Sequence, residues 1–167
     1  GGSRGIGRAS AIAFANKGAR VAIVFRSNQE AAATTLDLLH GTGHTALQAD
    51  LAIASEVERA VDEALAEFKR LDIVVNNAGY IWNSAAIKHT DEQWHAMLDV
   101  HATGPFRLLR EAGHHFRQQA SVDPPDRLRK VVNISSISGV YGAATQLAYS
   151  TAKAAVVGMT KTLAREW

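Results

Sequence analysis

Apolar residues along the chain follow two different patterns. Short apolar runs mark strand candidates, which lie at 21–25, 45–49, 73–75 and 130–134. Between them, apolar residues recur every three or four positions and predict helices at about 5–17, 28–40, 54–69 and 91–118, with a last helix from about 149. A continuous apolar run is typical of a strand buried on both faces. The segment 121–126, which holds two prolines, is predicted to be a loop.

Strands that alternate with helices predict a parallel sheet built from right-handed βαβ units. We therefore expect an α/β fold of the Rossmann type, a doubly wound parallel sheet between two helix layers, formed by a single domain over residues 1–167. Ligands of such folds bind at the carboxyl ends of the strands. The predicted strands end at Phe25, Ala49, Asn76 and Ser135, so the residues that follow them are the candidates for chemistry.

Composition narrows the function mainly by exclusion. Of 167 residues, 47% are hydrophobic and 20% are charged, which is typical of a globular protein with a buried core. The chain has no cysteine, so disulfides, thiol nucleophiles and Cys-ligated zinc are excluded, and its histidines form no metal-ligand pattern. The net charge of +2 is dispersed, and no apolar run approaches the ~18 residues of a membrane span. We expect no metal, nucleic-acid or membrane partner.

A glycine-rich segment opens the first predicted helix, with the sequence Gly1-Gly2-Ser3-Arg4-Gly5-Ile6-Gly7. Glycines let backbone N–H groups approach a pyrophosphate closely, and a helix N-terminus adds positive partial charge. Its position at the start of a strand–helix alternation favours a phosphate cradle for a dinucleotide over an ordinary glycine-rich turn.

The residue after the strand at 21–25 bears on which dinucleotide is bound. NAD sites usually place an acidic residue there for the ribose 2′-hydroxyl, whereas this chain has Arg26. Arg26 and Arg4 can both pair with a 2′-phosphate, so we expect NADP(H) to be preferred, with NAD(H) possible. The alternative is that Arg26 is a surface arginine at a strand end.

The strongest catalytic pattern is Ser136 followed thirteen residues later by Tyr149, with Lys153 four residues further on. A spacing of four places Tyr149 and Lys153 on one face of a helix. An ammonium group near a phenol favours the phenolate and lowers the phenol pKa from about 10, which makes the tyrosine a usable acid or base. Ser136 can hydrogen-bond the reacting oxygen.

Together with Asp50-Leu51 and Asn77-Ala78-Gly79, in this order along the chain, these residues resemble the short-chain dehydrogenase/reductase family, in its 3-oxoacyl-[acyl-carrier-protein] reductase-like branch. The resemblance implies that Tyr149 donates a proton to a substrate carbonyl, that Lys153 lowers the tyrosine pKa and holds the nicotinamide ribose, and that Ser136 orients the carbonyl. It also implies which residues bind the cofactor. Asp50 and Leu51 flank the adenine, and the backbone of Asn77, Ala78 and Gly79 lines the ribose. The other cofactor-binding residues are Gly1, Ser3, Arg4, Gly5, Ile6, Gly7, Arg26, Tyr149 and Lys153.

One position departs from the family pattern. Many relatives have a helix asparagine that holds a water for proton relay, and His101 takes its place here. A histidine can bind water through a ring nitrogen and relay protons, which makes His101 a fourth catalytic candidate. The alternative is that His101 only packs against its neighbours.

The resemblance implies an NADPH-dependent oxidoreductase that reduces a ketone, such as a 3-oxoacyl thioester, to an alcohol, acting as a homo-oligomer, either dimer or tetramer. One alternative is a cofactor-binding, non-catalytic partner subunit of a hetero-oligomer, and another is a dehydratase or epimerase on the same fold. A cytoplasmic protein is expected, with organelle targeting left open.

The ends of the sequence lead to a further expectation. The chain opens on the glycine segment and stops inside a helical pattern. The resemblance implies a first strand at the centre of the sheet, between the strands at 21–25 and 73–75, and further strands after residue 167. We therefore expect the sequence to be part of a longer protein, and we expect residues 1–167 alone not to fold to an active enzyme, because unpaired buried backbone groups cost ~1–3 kcal/mol each.

Overall fold

Two pairs of parallel strands form the centre of the structure. In a computed structural model that describes residues 1–124 and 126–167, β1 (Ala22–Phe25) pairs with β2 (Thr45–Gln48), and β3 (Ile73–Asn76) pairs with β4 (Lys130–Asn133). The predicted loop at 121–126 includes Pro125, which lies outside the described residues. The strand positions and their parallel direction agree with the sequence-based expectation.

Helices connect the strands in the predicted alternation. They are α1 (Gly5–Ala15), α2 (Gln29–Asp37), α3 (Ala54–Phe68), a 3₁₀ turn (Ala86–Lys88), α4 (Asp91–Leu98), a π-helical turn (Asp99–Thr103), α5 (Gly104–Gln119), α6 (Ser138–Tyr141) and α7 (Leu147–Glu166). The helix predicted over 91–118 is thus interrupted by a π-helical turn at its middle. Such a turn inserts one residue into the helical ladder and often lies at a functional site.

The two faces of β1 are covered by different helices. Ile23 and Phe25 pack with Ala11, Ala15 and Ala32, which belong to α1 and α2. The alternate residues Ala22 and Val24 pack against the α3 cluster instead. Because successive side chains of a strand point to opposite faces, a fully apolar strand of this kind requires a helix layer on each side. The chain therefore has the three-layer α/β/α arrangement that the sequence predicts.

An apolar cleft of about 540 Å³ separates the two strand pairs. It is lined by residues 21–24 of one pair and 73–76 of the other, with α1 and α3 over its two faces. In the described part of the chain, β1 pairs only with β2 and β3 only with β4, so each presents a free edge to the cleft. The cleft lies where the family resemblance implies a further strand.

The strand pairing continues one residue beyond the carboxyl ends of β2 and β4. Ala49 N–H donates to Phe25 O at 2.9 Å, and Ile134 N–H donates to Asn76 O at 2.9 Å. These bonds hold the segments that follow β2 and β4 at one edge of the sheet, which is the edge predicted for a ligand. Within residues 1–124 and 126–167, no helix has both the length and the apolar character needed to cross a membrane.

Candidate active site

The glycine-rich segment closes over the carboxyl end of β1. Gly2 N–H donates to Val24 O at 3.1 Å, and Asn77 Nδ2 donates to Gly1 O at 3.0 Å. A Cβ at Gly7 would overlap Gly1 O and lie 2.6 Å from Asn77 Nδ2. The absence of a side chain at Gly7 therefore allows the start of α1, the glycine segment and the loop after β3 to meet.

The outer side of the same segment is open. Gly5 has φ +55°, in the left-handed region that favours glycine, and a Cβ at Gly5 would meet no atom within 4 Å. Arg4 and Arg26 both carry exposed side chains, and α1 begins at Gly5 with no side-chain cap on its first N–H groups. Open backbone N–H groups beside arginines fit the phosphates of a dinucleotide.

Replacing Gly7 by alanine is expected to destabilise the fold by about 1–3 kcal/mol, because the new methyl group must displace backbone rather than a flexible side chain. Gly158→Ala is the matched control, since Gly158 lies inside α7 with open space around it and should be neutral or stabilising. Urea unfolding of both variants measures the difference. Equal midpoints for the two variants would contradict the steric interpretation.

The turn after β2 holds Asp50 by its own hydrogen bonds. Asp50 Oδ1 accepts from Ala52 N–H at 3.0 Å, and Glu56 Oε2 accepts from Asp50 N–H at 2.7 Å. Leu51 is half-buried and approaches α5, where a Cβ at Gly104 would lie 3.0 Å from its side chain. These contacts fix both residues at the carboxyl end of β2, at the same end of the sheet as the glycine segment.

A chain of amides links β3, β4 and α7. Asn76 Nδ2 donates to Asn133 Oδ1 at 2.8 Å, and Asn133 Nδ2 donates to Thr160 Oγ1 at 2.8 Å. Asn76 is buried, and its bond to Asn133 satisfies Nδ2, whereas its Oδ1 has no hydrogen-bond partner among the described residues. This network positions α7, which carries Tyr149 and Lys153, relative to the strand ends.

Lys153 is buried beneath Tyr149 on α7. Its Nζ donates to Ile134 O at 2.6 Å and lies 5.8 Å from the centroid of the Tyr149 ring. Burial lowers the pKa of the Lys153 ammonium group. The ammonium is thus directed by a backbone carbonyl at the end of β4, with the tyrosine ring as its next neighbour.

Ser136 lies in the loop after β4, which packs on α7. Ser136 Oγ accepts a hydrogen bond from Ser138 N–H at 3.2 Å, and Ser135 Oγ donates to Lys153 O at 3.0 Å. A Cβ at Gly139 would lie 2.7 Å from the Lys153 carbonyl carbon, so α6 rests directly on α7. Because Ser136 Oγ accepts from Ser138, its own proton is left to donate to a substrate oxygen.

His101 lies in the π-helical turn and is only 2% exposed. Its Nε2 donates to Tyr80 O at 2.7 Å, and its ring meets the Tyr149 ring edge-on with centroids 5.0 Å apart. Burial, with a smaller contribution from the Lys153 charge, lowers the His101 pKa to about 4. A Cβ at Gly79 would overlap the imidazole, so the glycine that follows β3 makes room for this ring.

His101 is expected to make folding stability depend on pH. Its pKa is about 4 in the folded chain and near the ordinary 6.5 when unfolded, so the unfolded chain binds the proton more readily. The contribution of neutral His101 to the free energy of unfolding is therefore complete above about pH 6.5. It declines by about 3 kcal/mol as the pH falls toward 4.

Urea unfolding at several pH values, for the wild type and for His101→Asn, measures this contribution. The wild type should lose about 3 kcal/mol more than the variant between neutral pH and about pH 4. Parallel pH profiles for the two proteins would show that His101 is not the group responsible.

The structure brings some of the sequence-predicted residues together in two clusters, whereas Ser136, Asp50, Leu51 and Arg26 lie outside both. One holds the glycine segment with Asn77 and Ala78, and the other holds Tyr149, Lys153 and His101. Sequence reasoning missed Tyr80, whose carbonyl orients His101, although an aromatic residue directly after the Asn-Ala-Gly motif was a signal. It also missed Arg8 and Thr35, which bind the glycine segment from behind.

Comparison with known proteins agrees with this geometry. Residues 1–167 match the family described as short chain dehydrogenase. A 3-oxoacyl-[acyl-carrier-protein] reductase of Synechocystis sp. is 35% identical over 168 residues, covering 99% of this chain and 65% of the relative. The FabG reductase of Staphylococcus aureus strain Mu50 is 32% identical over the same shares of the two chains. The chain thus spans slightly less than two thirds of these curated relatives.

Solved structures show the same fold. A Serratia marcescens short-chain dehydrogenase/reductase variant superposes with a TM-score of 0.88 at 29% identity, covering 99% of this chain and 65% of that one. A short chain dehydrogenase from Bacillus anthracis gives a TM-score of 0.90 at 24% identity, covering 99% and 67%. The chain therefore belongs to the short chain dehydrogenase family, whose members bind NAD(H) or NADP(H).

Proposed function

We propose that residues 1–167 form one dinucleotide-binding domain of an NADPH-dependent oxidoreductase that reduces a ketone, such as a 3-oxoacyl thioester, to an alcohol. The observation that carries the proposal is the cluster at α7, where Tyr149 lies between the buried ring of His101 and the buried ammonium of Lys153. A phenol placed beside a fixed cation is suited to deliver a proton to a carbonyl oxygen. The 3-oxoacyl reductase relatives support this substrate class.

The chain's own residues divide the work of binding and proton transfer. When bound, the reduced dinucleotide supplies the hydride that adds to the carbonyl carbon. Tyr149 Oη donates its proton to the carbonyl oxygen, so the ketone gains one hydride and one proton and leaves as the alcohol. Ser136 donates a hydrogen bond to the same oxygen and orients it, while the Lys153 charge favours the phenolate that remains.

His101 is proposed to act as a neutral group. With Nε2 donating to Tyr80 O, the lone pair of its buried Nδ1 is left as an acceptor, without a partner among the described residues. This is the atom that can accept from a water or hydroxyl on the route by which Tyr149 regains its proton. A low pKa keeps that acceptor available at neutral pH.

The preference for NADP(H) is proposed from two arginines near the glycine segment. Arg4 precedes α1 and Arg26 follows β1, and both are exposed. Paired with a 2′-phosphate, their guanidinium groups form charge-assisted hydrogen bonds that the 2′-hydroxyl of NADH cannot match.

A homo-oligomer is also proposed. A groove between α5 and α7 is lined by the apolar residues Met159, Leu163, Phe106 and Trp167, of which the last two are at least half exposed. Leu109 lines the groove as a buried residue, and the charged residues Arg110 and Glu166 also line it. An apolar strip along two neighbouring helices is suited to pack against the same strip of a second copy. Analytical ultracentrifugation of the protein that carries this chain measures its oligomeric state.

The direct test follows NADPH consumption by the protein that carries this chain, against acetoacetyl-CoA and a panel of small ketones. Faster oxidation of NADPH than of NADH supports both the proposed reaction and the proposed cofactor preference. Faster oxidation of NADH would overturn the argument from Arg4 and Arg26. Tight binding of NADPH with no turnover across the panel would favour the alternative, a non-catalytic partner subunit of a hetero-oligomer.

A further inference from the structure

The carbonyl of Ser3, in the middle of the glycine segment, is held from behind by two side chains. Arg8 Nη2 donates to Ser3 O at 2.6 Å, and Arg8 Nε lies 3.2 Å from the same oxygen. Thr35 Oγ1 lies 3.0 Å from Ser3 O and accepts from Arg8 Nε at 2.9 Å. Thr35 belongs to α2 and is fully buried, so this clamp joins the segment to two helices.

The clamp fixes the direction of the next peptide group. In a planar trans peptide the C=O of one residue and the N–H of the following residue point in opposite directions. Because Ser3 O is directed inward at Arg8 and Thr35, Arg4 N–H is directed outward, toward the open side of the segment. The Arg4 side chain starts from this same outward backbone and is exposed.

Arg8 carries a charge that no carboxylate offsets. Its guanidinium bonds only to neutral oxygens, those of Ser3, Ala31 and Thr35, and it takes part in no ion pair among residues 1–124 and 126–167. A cation so placed contributes positive potential at the glycine segment, where an anionic ligand is proposed.

We propose that Arg8 and Thr35 are positioning residues for cofactor selection, which hold the Ser3–Arg4 peptide so that Arg4 faces the 2′-phosphate of NADP(H). The inference rests on the proposed cofactor preference and deepens it. Arg8 acts through Arg4, so its loss lowers the preference for NADPH over NADH rather than the rate of the chemical step.

The test measures dissociation constants and steady-state kinetics for NADPH and NADH in the protein that carries this chain. Arg8→Met should weaken NADPH binding about tenfold or more and NADH binding by less than about threefold, with kcat at saturating cofactor little changed. Thr35→Val, which keeps the side-chain shape, should shift the ratio in the same direction by a smaller factor. Arg8→Lys, which restores the charge and part of the hydrogen bonding, should be intermediate.

Arg20→Met is the matched control. Arg20 also donates to backbone carbonyls, Gly43 O at 3.3 Å and Glu67 O at 3.2 Å, but it precedes β1 at the opposite edge of the sheet. Its loss should leave the NADPH/NADH ratio unchanged. Equal weakening of both cofactors in Arg8→Met, or an unchanged ratio in Thr35→Val, would overturn the proposal. A wild type without NADPH preference would instead overturn the proposed cofactor choice, and the clamp's role with it.

Discussion

Tyr149→Phe is expected to lower kcat/KM for ketone reduction by about 10³-fold, because the variant keeps the ring and loses only the proton that the carbonyl oxygen must receive. The ring packs edge-on against His101 with centroids 5.0 Å apart, and phenylalanine preserves this contact. The unfolding midpoint should therefore stay near its wild-type value. The loss of activity would appear mainly in kcat.

Tyr141→Phe is the matched control for this loss. Tyr141 ends α6, in the same region of the chain, but its side chain is 81% exposed, so removing its hydroxyl should leave turnover unchanged. NADPH consumption at saturating ketone measures both variants. Activity of Tyr149→Phe within about threefold of the wild type would remove Tyr149 from the proposed role.

The second large effect concerns the cleft between the strand pairs. Placing an apolar strand of about five residues ahead of Gly1 is expected to stabilise residues 1–167 by about 5 kcal/mol relative to the same residues alone. The cleft of about 540 Å³ is bounded by the free edges of β1 and β3. A parallel strand between them would make roughly four hydrogen bonds with each edge and bury its apolar side chains under α1 and α3.

Urea unfolding and amide hydrogen exchange measure this gain. Amide exchange should slow in β1 and β3, because their N–H groups that face the cleft become hydrogen-bonded. It should change less in α5 and α7. The control is an extension of equal length with prolines at alternate positions, because proline cannot donate to a sheet ladder. Equal stability of the two extended chains would contradict strand insertion into the cleft.

Much of the fold was predictable because its signals are local. The apolar run at 21–25 predicted a strand covered on both faces. In the structure, alternate residues of β1 do pack against α1 on one face and α3 on the other. The π-helical turn at Asp99–Thr103 was not predictable. Its apolar spacing resembles that of an ordinary helix, and its extra residue is accommodated only by packing.

The candidate site divides in the same way. The spacing of Tyr149 and Lys153 predicted one helix face, and the structure has both on α7 with the ammonium 5.8 Å from the ring centroid. The direction of that ammonium, toward Ile134 O, depends on how the loop after β4 meets α7.

The sequence by itself determined the order of strands and helices and the family, and it named the candidate reactive side chains, because periodicity and motif spacing are properties of neighbouring residues. Only the tertiary structure decided that His101 is buried with a pKa of about 4, that Gly79 makes room for its ring, and that Arg8 binds Thr35 across 27 residues of chain. Burial and long-range hydrogen bonds arise when distant segments pack together, and the desolvation that sets a pKa exists only once they have done so.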